Sequence, residues 1–353
     1  MRDIKVKINR THNYSIMIKK GILDQLDILK NTFFKYEKAV IISDENVSPI
    51  YLKHISKQIK NMGCKMHEII VEVGEKSKSL EQVQEIYQHF LEYNITRSDV
   101  IIALGGGIVG DLTGYCASTY LRGVDFIQIP TSLLAQVDSS VGGKVGVNLS
   151  KGKNLVGSFY QPKVVIIDPK TLDTLPSSNF AEGMAEVIKY GCIYDRNLFE
   201  KLIDYDTEEL LNNIEDIIEK CCTIKKEVVE KDEMEKDLRR ILNFGHTLGH
   251  VIEAYYNYEK YSHGESVAIG MYCFSVVGEK MGVTKIGTSE KLKKVLIKFN
   301  LPVNYPDLDK ELAFEIINRD KKFDGNKINL VFLKEIGKSL IISVDKHQLK
   351  EYI

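Results

Sequence analysis

The stretch LNFGHTLGH (242–250) sets His246 and His250 four residues apart in an otherwise apolar, helical pattern, so both imidazoles leave one face of the helix. Such a pair either ligates one metal ion, divides a metal and a substrate between its members, or consists of two core histidines satisfied by hydrogen bonds. A third histidine, His263, stands in SHGESVAIGM, and an acid, Glu186, sits inside the apolar helical run GMAEVIKYG with Lys189 one turn later. Buried carboxylates and lysines are costly unless paired or metal-bound. Glu186, His246 and His263 make an N,N,O donor set that leaves coordination open to water or substrate, which suits a catalytic zinc rather than a structural one. His250 is then available for proton transfer.

A second group of residues suits anions. IIALGGGIVGDLTGYCA (101–117) runs as a buried strand into Gly105, Gly106 and Gly107 and then into a helix. Backbone N–H groups there can approach a pyrophosphate at the positive helix end. The order is not GxGxxG, and a tight turn competes with a nucleotide site. GEKSKS (74–79) offers Glu75 and Lys78 after another strand, and SDEN (43–46) offers Asp44 and Asn46; each is a ribose or phosphate partner or else a capped, solvated loop. Between residues 128 and 162, Asp138, Lys144, Lys151, Lys153 and Asn154 stand among small and apolar residues such as SSVGGK. That composition gathers ammonium and backbone donors around an anion better than it makes a solvated face. Arg122, in YLRG, fits neither pattern.

The elements that must position these residues divide the chain in two. Short β-rich runs, KAVIIS (38–43), HEIIVEV (67–73), DVIIALG (99–105), VDFIQIP (124–130) and KVVIID (163–168), alternate with helical patterns such as SLEQVQEIYQHFLEY (79–93). This predicts a parallel sheet covered by helices. Long amphipathic stretches follow from about residue 179 to 298, and only INLVFL (328–333) and SLIISV (339–344) read as strands near the end. The boundary is expected close to Pro176, giving an α/β domain over 1–176 and a mainly helical domain over 177–353. At 353 residues, two domains with their own cores are expected.

A formal net charge of -1 supplies no global field to attract nucleic acid or an anionic membrane, so any anion chemistry must be local. The six cysteines include no CxxC, the start MRDIKVKINR lacks the apolar core of a signal peptide, and no apolar run approaches the roughly 20 residues of a membrane span. Reduced thiols in a cytoplasmic protein are expected.

GEKSKS, LGGGIVGDLTG, YLRG, QIPTSLLAQVDSSVGGK, GKNLVGSFYQP, EGMAEVIKYG, LRRILNFGHTLGH, HGESVAIGM and DKK occur in this order. With them the chain resembles the 3-dehydroquinate synthase family along nearly its whole length. Small departures, Ser132 for a second threonine, Val145 after the lysine and Ser266 for alanine, touch no expected metal ligand. The resemblance implies a Rossmann-like α/β domain followed by a helical one, with the active site in the cleft between them. It implies a catalytic metal, usually zinc with cobalt as the alternative, on Glu186, His246 and His263. It places NAD over Gly105, Gly106 and Gly107, with Asp44, Asn46, Glu75, Lys78, Asp111, Thr131, Ser132, Lys144, Lys153, Thr171 and Thr174. It implies a small sugar phosphate substrate, 3-deoxy-D-arabino-heptulosonate 7-phosphate, held by Asp138, Lys144, Asn154, Lys189, Lys225, Arg239, Asn243, His250 and either Lys321 or Lys322. Arg122 would reach the phosphate at the neighbouring subunit's site, implying a homodimer.

The implied reaction is transient oxidation by NAD, phosphate elimination, return of the hydride and an internal aldol closure to 3-dehydroquinate. Another sugar phosphate cyclase, such as a 2-deoxy-scyllo-inosose synthase, would share fold, NAD and metal but act on a substrate without a carboxylate. Lys225 and Arg239 argue against it, because cations facing a neutral sugar are left uncompensated. A metal-dependent polyol dehydrogenase would accumulate NADH, and the lysine-rich cluster is surplus to that task. A non-enzymatic nucleotide-binding or scaffold protein leaves the acid and histidine set without a purpose.

Overall fold

The computed structural model describes residues 1–8, 12–33, 35–149, 152–319, 323–324 and 327–345. They form two compact units, one of Met1–Pro176 with Lys225–Glu233 and the other of Ser177–Ile224 with Met234–Ile353. No division at a single point describes this. The helix Ile214–Lys231 is continuous, yet its last turns group with the first unit, where Glu230 accepts a hydrogen bond from the Lys7 backbone N–H at 2.7 Å.

The first unit is built on a seven-stranded sheet of β1 (Arg2–Ile8), β2 (His12–Ile18), β3 (Lys38–Asp44), β4 (Lys65–Val71), β5 (Val100–Gly105), β6 (Asp125–Pro130) and β9 (Val164–Ile167), with β7 (Lys144–Leu149) and β8 (Gly152–Phe159) forming a separate hairpin. The sheet order is β1-β2-β9-β6-β5-β3-β4, with β1 and β2 antiparallel and the other pairs parallel. The parallel core was expected from its sequence, and the reason is visible. β5 and β9 are buried at every position, so their runs are apolar without alternation. Ile41, Ile102 and Ile127 pack on one face, and Val40, Ile101 and Phe126 on the other, against the helices Leu80–Glu92 and Gly107–Thr119. Each such side chain contributes about 1.5–3 kcal/mol by leaving water.

From β3 the chain moves outward to β4, then returns through Leu80–Glu92 to β5 on the opposite side of β3. The carboxyl ends of β3 and β5 therefore flank a topological switch point, where open α/β sheets bind ligands. Asp44 ends one strand and Gly105 the other.

The second unit holds the helices Ser177–Ile193, Arg196–Asp204, Thr207–Asn212, His246–Tyr255, His263–Lys280, Thr288–Lys298 and Lys310–Arg319. A three-stranded antiparallel sheet joins them, made of β10 (Phe323–Asp324), β11 (Lys327–Glu335) and β12 (Lys338–Asp345). Ser262 caps the helix that starts at His263: its hydroxyl accepts from the Glu265 backbone N–H, and Glu265 reaches back to the Ser262 N–H. Among the described residues no helix is long and apolar enough to cross a membrane.

Candidate active site

Backbone contact between helices assembles the histidine cluster of the second unit. A Cβ on Gly270 would lie 2.0 Å from the Gly245 carbonyl oxygen, and one on Gly264 would lie 2.5 Å from the Glu182 Cα. Glycine at these two points lets His246–Tyr255 and Ser177–Ile193 close on His263–Lys280. The result places one donor atom each of Glu186, His246 and His263 within 4.8 Å of one another. His246 Nε2 is 3.4 Å and His263 Nε2 3.7 Å from Glu186 Oε1.

The other ring nitrogens decide what this means. His246 Nδ1 lies 3.2 Å from the Phe244 carbonyl, which can only accept, so that nitrogen carries the proton and Nε2 presents a lone pair. His263 Nδ1 faces Glu253 Oε2 at 3.3 Å, which fixes the same tautomer. Two lone pairs thus face Oε1 of a carboxylate that is 0 % exposed. Acceptors turned on a buried carboxylate call for a cation between them, and a divalent metal fits. The Lys189 ammonium contacts Glu186 Oε2 from one turn along, itself 1 % exposed. His250 borders the cluster, its ring centroid 5.6 Å from His246 and 6.0 Å from His263. One turn before Glu186, burial raises the Glu182 carboxyl above its ordinary range, against a hydrogen bond from Ser262 and the pull of His263. Arg239 is buried, and Asn243 donates to Glu235 Oε1 at 2.6 Å.

The first unit brings the anion-binding candidates together at its strand ends. Gly106 caps the helix Gly107–Thr119, and its neighbours show why side chains are excluded. A Cβ on Gly105 would meet Val109 at 2.8 Å, and one on Gly107 would meet the Ser139 hydroxyl at 3.0 Å. The Gly105 carbonyl accepts from the Thr131 N–H at 3.0 Å, and the Ser132 hydroxyl sits over Gly106. Lys78, 4 % exposed, reaches Asp111 Oδ2 at 2.5 Å. Burial raises the Asp111 carboxyl above its ordinary range, and the Lys78 ammonium opposes that shift.

Asn148, a residue the sequence pattern did not single out, ties this group together. It donates to Glu75 Oε1 at 2.8 Å, its N–H donates to the Lys78 carbonyl at 2.8 Å, and its Oδ1 accepts from the Asn154 N–H at 2.8 Å. Lys153 approaches Glu75 Oε2 at 3.7 Å. Asn154 adopts φ 53°, a left-handed conformation that asparagine tolerates.

Other expected residues are placed differently. Lys225, paired in expectation with Arg239, grips Asp138 through the carbonyl at 2.6 Å and Oδ1 at 2.9 Å, and belongs to the other unit from Arg239. Asp44 Oδ1 caps its own turn by accepting from the Asn46 and Val47 N–H groups, each at 2.9 Å. Thr171 is buried with its hydroxyl between Gln136 and the Asp168 carbonyl, whereas Thr174 is exposed and bonded to Tyr51. Lys144 is exposed at the start of β7. Arg122 is exposed in a run of three positive-φ residues, Leu121, Arg122 and Gly123. Lys151, Lys321 and Lys322 lie outside the described residues.

Comparison with known proteins bears on both units. A family model described as 3-dehydroquinate synthase N-terminal matches residues 68–182, and one described as 3-dehydroquinate synthase C-terminal matches 183–323. The chain is 48 % identical over 354 residues to the 3-dehydroquinate synthase of Clostridium acetobutylicum, covering 100 % of this chain and 99 % of that protein. A crystal structure of 2-deoxy-scyllo-inosose synthase complexed with carbaglucose-6-phosphate, NAD+ and Co2+ matches with a TM-score of 0.88 at 25 % identity over 99 % of this chain and 98 % of that one. The 2-epi-5-epi-valiolone synthase of Streptomyces hygroscopicus subsp. jinggangensis 5008, solved with NAD+ and Zn2+ bound, shares the fold at a TM-score of 0.88 and 22 % identity, with coverage of 99 % and 98 %.

Proposed function

Because the chain belongs to the 3-dehydroquinate synthase family, we propose that it is a phosphate-eliminating cyclase converting 3-deoxy-D-arabino-heptulosonate 7-phosphate to 3-dehydroquinate and phosphate with NAD and a divalent metal. Glu186, His246 and His263 would hold the ion, and the glycine loop at Gly105–Gly107 the NAD pyrophosphate. When bound, the metal supplies Lewis acidity toward the substrate hydroxyls and NAD accepts and returns a hydride. The observation that carries the proposal is the buried Glu186 facing the Nε2 atoms of two imidazoles.

His250 takes the proton from the substrate hydroxyl as it is oxidised. Lys144, Lys189 and Asn154 offset the charge that grows on the phosphate as it leaves. Arg239 pairs with the substrate carboxylate, a role suited to its planar fork. Lys225 acts by holding Asp138, which supports the substrate only while that ion pair stands. Asn148 keeps Glu75 and Lys78 in register for the ribose and phosphate. Zinc is the expected ion, with cobalt able to replace it. The protein works in the cytoplasm as a homodimer, with Arg122 reaching the neighbouring site; its strained tip on an exposed loop is the kind of backbone that functional contacts preserve.

The test supplies the heptulosonate phosphate with catalytic NAD and zinc. Inorganic phosphate and a carbocyclic product are expected in equal amounts without build-up of NADH. Accumulating NADH would replace the cyclase with a dehydrogenase, and turnover of a carboxylate-free sugar phosphate alone would replace it with a different cyclase.

A further inference from the structure

One buried acid near the cluster has no part in that chemistry. Glu253 is 3 % exposed and lies on the same helix as His246 and His250, on the face those spacings define. Its Oε2 is 3.3 Å from His263 Nδ1, while the Nε2 of the same ring is turned to Glu186. Donor atoms of His250, Glu253 and His263 also fall within 4.8 Å of one another.

We infer that Glu253 is a positioning residue: its carboxylate receives the His263 Nδ1–H, fixes the tautomer and ring angle, and raises the basicity of the ligating Nε2. This rests on the reading that Glu186, His246 and His263 hold the ion. A ring with one nitrogen on a metal is oriented by what its other nitrogen donates to, and a carboxylate does this more strongly than the backbone carbonyl that serves His246. The acid is better suited to this outer role than to ligation, because its nearest ring nitrogen is the one that carries a proton.

The test uses the full-length, metal-stripped protein titrated with Co2+ against a competing chelator. The unsubstituted chain should bind one ion. Glu253→Gln, which keeps an acceptor oxygen but loses the charge, should weaken Co2+ binding about tenfold, and Glu253→Ala toward about 100-fold. The visible absorption of bound Co2+ should shift in both, while NAD affinity stays as it was. A folded Glu253→Ala protein with Co2+ affinity within about twofold of the parent and an unshifted spectrum would overturn the inference. So would a parent that binds two ions and a variant that binds one, since Glu253 would then be a ligand. His246→Ala separates the two claims: retention of tight Co2+ binding there would remove the three-ligand site itself.

Discussion

Charge is handled differently in the two units. At the strand ends of the first, Lys78 sits against Asp111 and Lys225 against Asp138, opposite signs in contact. In the second, Glu186 has Lys189 on one oxygen but faces histidine lone pairs with the other. The first arrangement is complete as protein and offers a ligand mainly backbone donors and a cleared path. The second leaves one carboxylate oxygen and two ring nitrogens turned toward one another. A nucleotide that enters and leaves suits the former, and an ion that stays suits the latter.

Four substitutions would break or sharpen this contrast. The largest effect is expected of His246→Ala, which removes one of the three proposed metal donors. Metal content and turnover should vanish together, turnover by roughly 1000-fold or more, measured by metal analysis and phosphate release; an active, metal-free variant would contradict it. Next is Asp111→Asn, which leaves the Lys78 ammonium buried without its counter-charge. Denaturant titration should show a loss of about 3 kcal/mol, and an unchanged midpoint would show that Lys78 is not held by charge. Gly270→Ala drives a methyl into the Gly245 carbonyl. A cost of about 1–3 kcal/mol is expected, with weaker Co2+ binding because the histidine helices must part; stability lost without weaker binding would uncouple the crossing from the site. Gly106→Ala should do least to the fold, less than about 0.5 kcal/mol, since φ is -74° and its Cβ would meet the Ser132 hydroxyl at 3.5 Å. Calorimetry should nonetheless find NAD binding about tenfold weaker, the equivalent of one charge-assisted hydrogen bond.

How legible the molecule is in its sequence follows the same division. Strands buried on both faces write continuous apolar runs, so the parallel core could be read directly. β1 alternates exposed and buried residues, RDIKVKI, and this edge strand does not stand out from a charged surface segment. The β7–β8 hairpin is hidden by glycine. Gly146 and Gly157 pair across it so closely that a Cβ on either would lie within 2.7 Å of the opposite backbone. The return of Lys225–Glu233 to the first unit has no sequence signal, because helical periodicity is blind to which neighbour a face meets. Of the site, Glu186, His246 and His263, whose donor atoms the structure brings together, were legible by type and setting. Glu253 was passed over, although it stands three residues past His250 on one helical face, and Asn148 gave no signal, being one polar side chain among many in a loop-like stretch.

The glycine crossing also bears on the order in which the chain assembles. His246 and His263 lie on consecutive helices that touch backbone to backbone, so closing the segment between them costs little entropy, whereas Glu186 arrives from far upstream. The imidazole pair is therefore the part of the cluster that needs the least chain closure, and the carboxylate the part that needs the most.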